Sequence, residues 1–182
     1  MKSALLVMDV QPGILDRLIK PQDYLKRLTD AVKAARQNGL TVIFVVVSLR
    51  KGFPEVSPNN KSFSAITASS SATILKPEPA IKPRAGEIVV QKRRVSAFAG
   101  SDLDIVLRAQ GITHLILTGI STSGVVLSTL REAADKDFKI TVLSDLCADF
   151  DEQVQKVLTE KVFPRQADVT SSADWQKEIK GE

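Results

Sequence analysis

The chain has 182 residues, 43% hydrophobic, 25% charged and 5% aromatic, with a formal charge of +4. That size fits one domain with a sizeable core. So few aromatics argue against a base-stacking nucleic-acid surface, and no run approaches the roughly 20 apolar residues that span a bilayer. A single cysteine, Cys147, excludes an intramolecular disulfide and fits a reducing, cytoplasmic compartment.

The first apolar run, ALLVMDV (4–10), is short and interrupted by Asp9, so it reads as a buried strand and not as a signal peptide. Residues 22–37 place Leu25, Leu28, Val32 and Ala35 on one helical face, with Gly39 as a stop. TVIFVVVS (41–48) is a second buried strand and EIVVQK (87–92) a shorter third. Between them, residues 50–86 hold most of the prolines and many serines without strong elements, as a lid or binding loop would.

Ser101 opens a helix with Asp104 in a capping-box position, and Gly111 ends it. HLILTGI (114–120) is the fourth strand and leads into a helix over 123–137. KITVLSD (139–145) is the fifth, and a helix follows over 151–163. A weak last strand lies at 167–172, and the tail after Trp175 is polar. Strands with unbroken apolar runs alternating with helices imply a parallel sheet covered on both faces.

In such sheets the ligand crevice lies beyond the carboxyl ends of the strands. That rule gathers Asp9, Ser48, Lys92, the 119–125 corner and Asp145 around one cleft. Neither GxGxxG nor GxxxxGK[ST] is present, so no dinucleotide or P-loop nucleotide site is indicated. The one histidine, His114, starts a strand at the end away from the cleft, which excludes a histidine triad or a multi-histidine metal site. Basic residues are scattered except for Lys92-Arg93-Arg94, which suits a small anion better than nucleic acid. Cys147 reads as a small buried hydrophobe. Asp9 is costly inside an apolar strand unless paired, and Lys92, ending another strand, is the candidate partner; that pair serves either as a structural ion pair or as catalytic machinery.

Taken together, LLVMDVQ, KRRVSAF with the following GSDLDIVLRAQGITHLILTGISTSGVV, and the stretch through SDLCAD resemble the isochorismatase-like (cysteine hydrolase) superfamily. The resemblance runs from about residue 3 to about residue 172. It implies a three-layer α/β/α fold around a mainly parallel six-stranded sheet, as a single domain over 1–182. It also implies an Asp–Lys–Cys triad in the amidase members, of which Asp9 and Lys92 match the first two. Val125 stands where that cysteine belongs, and Cys147 matches a position that is not catalytic in the family. Covalent acyl transfer needs a nucleophile that valine cannot supply, so nicotinamidase-type activity is disfavoured. Isochorismatases do without the cysteine, using the aspartate as general acid toward an enol ether; their corner resembles G-V-Y-A-H, where this chain has Gly119-Ile120-Ser121-Thr122-Ser123.

The expectation is therefore a hydrolase for a small carboxylated or carbonyl compound, with Asp9 as acid and Lys92 as its partner. The backbone of Ser121, Thr122, Ser123, Gly124 and Val125 would cradle an anion at a helix start. Gln11, Phe53 and Arg94 would line the pocket; Phe98 serves that or the core equally. No cofactor or metal is called for. The expected partners are a small-molecule substrate and further copies of the chain as a homodimer or larger assembly, with no nucleic acid and no membrane. The alternative is a member without catalysis that binds a ligand or another protein.

Overall fold

A computed structural model of the chain describes residues 1–68 and 77–181. Six strands form one sheet in the order β3-β2-β1-β4-β5-β6, every neighbouring pair parallel. They are β1 (Ser3–Met8), β2 (Thr41–Val47), β3 (Ile88–Lys92), β4 (His114–Ile120), β5 (Lys139–Ala148) and β6 (Asp168–Thr170). The helices are α1 (Pro12–Leu15), α2 (Pro21–Gln37), α3 (Lys61–Ala68), α4 (Leu103–Ala109), α5 (Leu127–Asp135), α6 (Glu152–Val157) and α7 (Ser172–Lys180).

The continuous apolar sequence of β1 has a simple cause. Ala4, Leu6 and Met8 enter one core cluster with residues of α4 and α5, while Leu5 and Val7 enter another with residues of α2 and with Trp175 of α7. Side chains alternate along a strand, so a strand covered on both faces must be apolar at every position. α2 buries Leu28, Ala31, Val32 and Ala35 along one stripe, the spacing of a helix with one face on a sheet.

The structure departs from the sequence reading in its local elements. Residues 50–86 contain α3, and residues 69–76 of that expected lid lie outside the described residues. The polar tail is α7, anchored by buried Trp175 and capped by Ser171, whose hydroxyl accepts from the Asp174 amide. Trp175 and Ile179 alone, in an otherwise polar stretch, make too short a period to announce that helix. The capping box at Ser101 and Asp104 does not form: Ser101 accepts from the Leu103 amide at 3.2 Å, while Asp104 turns to Arg108 at 2.8 Å. The helix expected over 123–137 begins as a π-helical turn at Thr122–Val126, and that over 151–163 passes into another at Leu158–Val162.

Candidate active site

The strand order reverses between β1 and β4: the chain builds outward through β2 and β3, then returns to β1's other side with β4. Connections leave such a junction in opposite directions and open a crevice at the carboxyl ends. Asp9 directly follows β1, its amide continuing the ladder to the Val45 carbonyl at 2.8 Å, and it holds a φ of +55°. Lys92 ends β3, two strands away and in register with Val47 of β2. Strands two apart in a sheet are separated by roughly 10 Å, so the long lysine stem lies across the end of β2 to meet the carboxylate.

The meeting is close. Lys92 Nζ lies 2.8 Å from Asp9 Oδ2 and donates to the carbonyls of Arg94 and Val95, each at 2.9 Å. An ammonium has three protons to donate, and all three are taken. Lys92 is 2% exposed and Asp9 7%. Asp9 Oδ1, by contrast, is buried without a hydrogen-bond partner. Burial pushes the Asp9 carboxyl above the usual carboxylate range; the Lys92 charge pulls it back without cancelling the effect.

Opposite this pair, β4 runs into the turn at 121–126. Gly119 permits the approach of β1 and β4: at its φ of +149°, a Cβ would sit 2.4 Å from the Met8 carbonyl oxygen. The Ile120–Ser121 peptide is cis. Ser121 Oγ accepts from the Gly124 amide at 3.1 Å, and the Ser123 amide donates to Asp149 Oδ2 at 2.7 Å. Two donors of the cradle expected over 121–125 are thus committed within the protein.

Asp9, Lys92, Ser121, Ser123, Gly124 and Val125 line one cavity of about 590 Å³. Its apolar wall comes from Ile14, Val47, Phe63, Val95 and Ile120. Val125, 2% exposed, contributes hydrocarbon. Ser62, Ile66, Ser128, Arg17 and Phe150 make up the rest of the lining.

Other residues expected at the cleft lie elsewhere. Gln11 is fully buried and clamps β2, accepting from the Val47 amide at 2.8 Å and donating to its carbonyl at 3.1 Å. Arg94 donates to the carbonyls of Arg93 and Glu55, at 2.7 and 2.8 Å, with its guanidinium 5.7 Å from the Phe63 ring centre. Phe63, not Arg94, reaches the cavity. Phe53 belongs to a turn outside the lining, with its amide bonded to Arg50. Thr122 faces α6 and donates to Gln155 Oε1 at 2.5 Å. Ser48 also lies outside the lining, its carbonyl accepting from Arg93. Asp145 accepts from the amide and hydroxyl of Ser172, at 2.7 and 2.6 Å, holding the start of α7. These polar groups bind backbone or neighbouring elements, a choice that tertiary contacts make and strand position alone does not reveal.

Phe98 is buried in the core beside Phe138 and is absent from the lining. His114 sits at the far end of the sheet between Ser3 Oγ and Thr141 Oγ1, at 3.0 and 2.9 Å. Cys147 is buried on β5 opposite Gly119, its Sγ 3.7 Å from the Leu117 carbonyl oxygen. Burial drives its thiol far up and keeps it protonated. No sulfur lines the Asp9–Lys92 cavity among the described residues. Nor do those residues gather three or more His, Cys, Asp or Glu able to hold a metal ion, and none of their helices is long and apolar enough to cross a membrane.

The isochorismatase domain profile matches residues 3–174. A ureidoacrylate amidohydrolase of Variovorax paradoxus is 32% identical over 173 residues, covering 79% of this chain and 67% of the relative. An isochorismatase family protein of Burkholderia thailandensis superposes with a TM-score of 0.78 at 29% identity, over 98% of this chain and 96% of that one. The N-carbamoylsarcosine amidase of Thermoplasma acidophilum gives 0.71 at 26% identity, over 94% and 97%.

Proposed function

Because the chain belongs to the isochorismatase family, we propose that it is a hydrolase acting on a small carboxylated or carbonyl compound by a non-covalent route through Asp9 and Lys92. The observation that carries this reading is one carboxyl group: Asp9 lines the cavity, its Oδ2 is held by Lys92, and its Oδ1 is buried without a hydrogen-bond partner. Burial raises the pKa of this carboxyl and so favours the protonated form that a general acid requires.

For a vinyl ether the step runs as follows. The alkene's electron pair takes the proton from the Asp9 carboxyl and forms a C–H bond, leaving an oxocarbenium ion. Lys92 stabilises the carboxylate that results. Water adds to the cation and returns its proton to Asp9. The hemiketal or hemiacetal then separates into an alcohol and a carbonyl compound, so one water is consumed and the acid is restored.

The relatives' names, ureidoacrylate amidohydrolase and N-carbamoylsarcosine amidase, denote small carboxylates bearing a carbonyl, which supports the substrate class. The covalent amidase route is disfavoured because Val125 offers no nucleophile beside the pair. The same valine favours a second reading, a family member that binds a ligand or a protein without turning it over. Self-association into a homodimer or larger assembly belongs to both readings and is read by sedimentation.

The test is a substrate screen across vinyl ethers, amides and ureas with the chain and its Asp9→Asn variant. The hydrolase reading expects turnover of a vinyl ether that the variant loses while its circular dichroism stays native. Equal turnover by the folded variant overturns the acid assignment. Binding without turnover by the unmodified chain favours the second reading.

A further inference from the structure

Arg17 stands at the opening of the cavity, in the loop after α1. Its guanidinium carbon lies 4.2 Å from the centre of the Phe150 ring. Among the described residues it forms no ion pair with any carboxylate. Asp145, Asp149 and Glu152 line the adjoining cavity with Arg17, and Asp149 is the one that binds the turn. Both Asp149 oxygens are engaged by amides, Oδ2 by Ser123 at 2.7 Å and Oδ1 by Phe150 at 2.9 Å. Those bonds fix the Phe150 backbone against the turn that carries Val125.

The charges lining the cavity are Asp9, Lys92 and Arg17. Asp9 and Lys92 answer each other across 2.8 Å. Arg17 is therefore the one charged side chain of the lining, among the described residues, without an ion-pair partner within 4 Å. Stacking on an aromatic face occupies the plane of a guanidinium and leaves its N–H edge to bind a planar anion with two parallel hydrogen bonds.

We propose that Arg17 selects the substrate, holding its carboxylate at the mouth while the neutral, reacting end enters the apolar interior toward Asp9. This deepens the hydrolase reading and rests on its choice of cavity. It fixes the substrate's orientation and assigns the anion site to Arg17, not to Lys92 or Arg94. Lys92 has no proton left to donate, and Arg94 lies outside the cavity lining.

Two saturated ethers of equal size serve as binding probes, 3-methoxypropanoate and its neutral counterpart 3-methoxypropanamide, and 3-methoxyacrylate serves for turnover. Calorimetric binding is measured with Asp9 and Lys92 intact, so that their charges stay paired, with and without Arg17→Gln or Arg17→Lys. The carboxylate is expected to bind about tenfold more tightly than the carboxamide, the scale of one charge-assisted contact at an exposed site. Arg17→Gln should remove that preference without weakening the carboxamide, and Arg17→Lys should keep part of it. Added salt should erode the preference only where the cation is present. Equal binding of the two probes, binding of neither, or a preference that survives in Arg17→Gln overturns the proposal. Turnover is read separately on the chain with Asp9 intact, so selection without hydrolysis sinks the hydrolase reading and leaves Arg17's role standing.

Discussion

The Lys92 ammonium touches Asp9 Oδ2 at 2.8 Å and two backbone carbonyls at 2.9 Å, so the carboxylate meets a cation that cannot turn away from it. The ion is held by the loop that begins immediately after its own strand. That loop is fastened to α5, where the Ala97 amide donates to Thr129 Oγ1 at 2.9 Å and Ser96 Oγ to Glu132 Oε2 at 2.6 Å. Position and charge at the site are thus built from the same short stretch, 92–97.

Removing one member of this pair should cost more than removing both. Asp9→Leu leaves a buried ammonium with two carbonyl partners, and Lys92→Met leaves a buried carboxyl without its cation. Each single change is expected to lose about 3–5 kcal/mol of stability, the usual penalty for orphaning a buried charge. The double variant should lose less than the sum, by more than the roughly 0.5 kcal/mol seen between independent sites. Denaturant titration of the four proteins closes the cycle; additive losses would show that the two groups do not interact.

The raised Asp9 pKa gives stability an uncommon pH dependence. The folded state holds this proton more tightly than the unfolded chain does, so the contribution is complete below the ordinary aspartate value of 3.8 and is lost as pH rises through the higher folded value. The stability of the chain relative to Asp9→Asn should therefore fall with rising pH across that window. Activity that needs the protonated acid should fall along the same limb. A stability difference that climbs with pH instead would mean that Lys92 outweighs desolvation.

Val125→Cys should place a thiol in the cavity that holds Asp9 and Lys92. The neighbouring ammonium favours the thiolate, and a cysteine beside a base is the arrangement covalent amidases use. In a Cys147→Ala background the variant should react rapidly with iodoacetamide and gain measurable hydrolysis of ureidoacrylate, the substrate named for a relative. The parent chain's buried Cys147 should label only after unfolding. Fast labelling without gained hydrolysis would show that the turn lacks the geometry for an acyl intermediate.

The fold was largely legible because burial on both faces forces a parallel strand to be apolar throughout, and the runs at 4–8, 41–47 and 114–120 obey that demand. α7 was not legible because only Trp175 and Ile179 give its polar stretch an apolar period. α3 lay hidden in a serine-rich segment whose Phe63 is buried only once the chain folds over the cavity.

At the site, the sequence by itself marked Asp9 and Lys92, since a charge at the end of an apolar strand has no inexpensive place except a crevice. It also fixed that no second cysteine exists to act there. Only the tertiary structure decided which polar groups face the cavity and which are used elsewhere. Gln11 and Arg94 were consumed by backbone, whereas Arg17 and Phe150, 133 positions apart, came together at the mouth. The reason is that strand position sets where a residue stands, while the direction of a side chain depends on partners that chain order does not reveal.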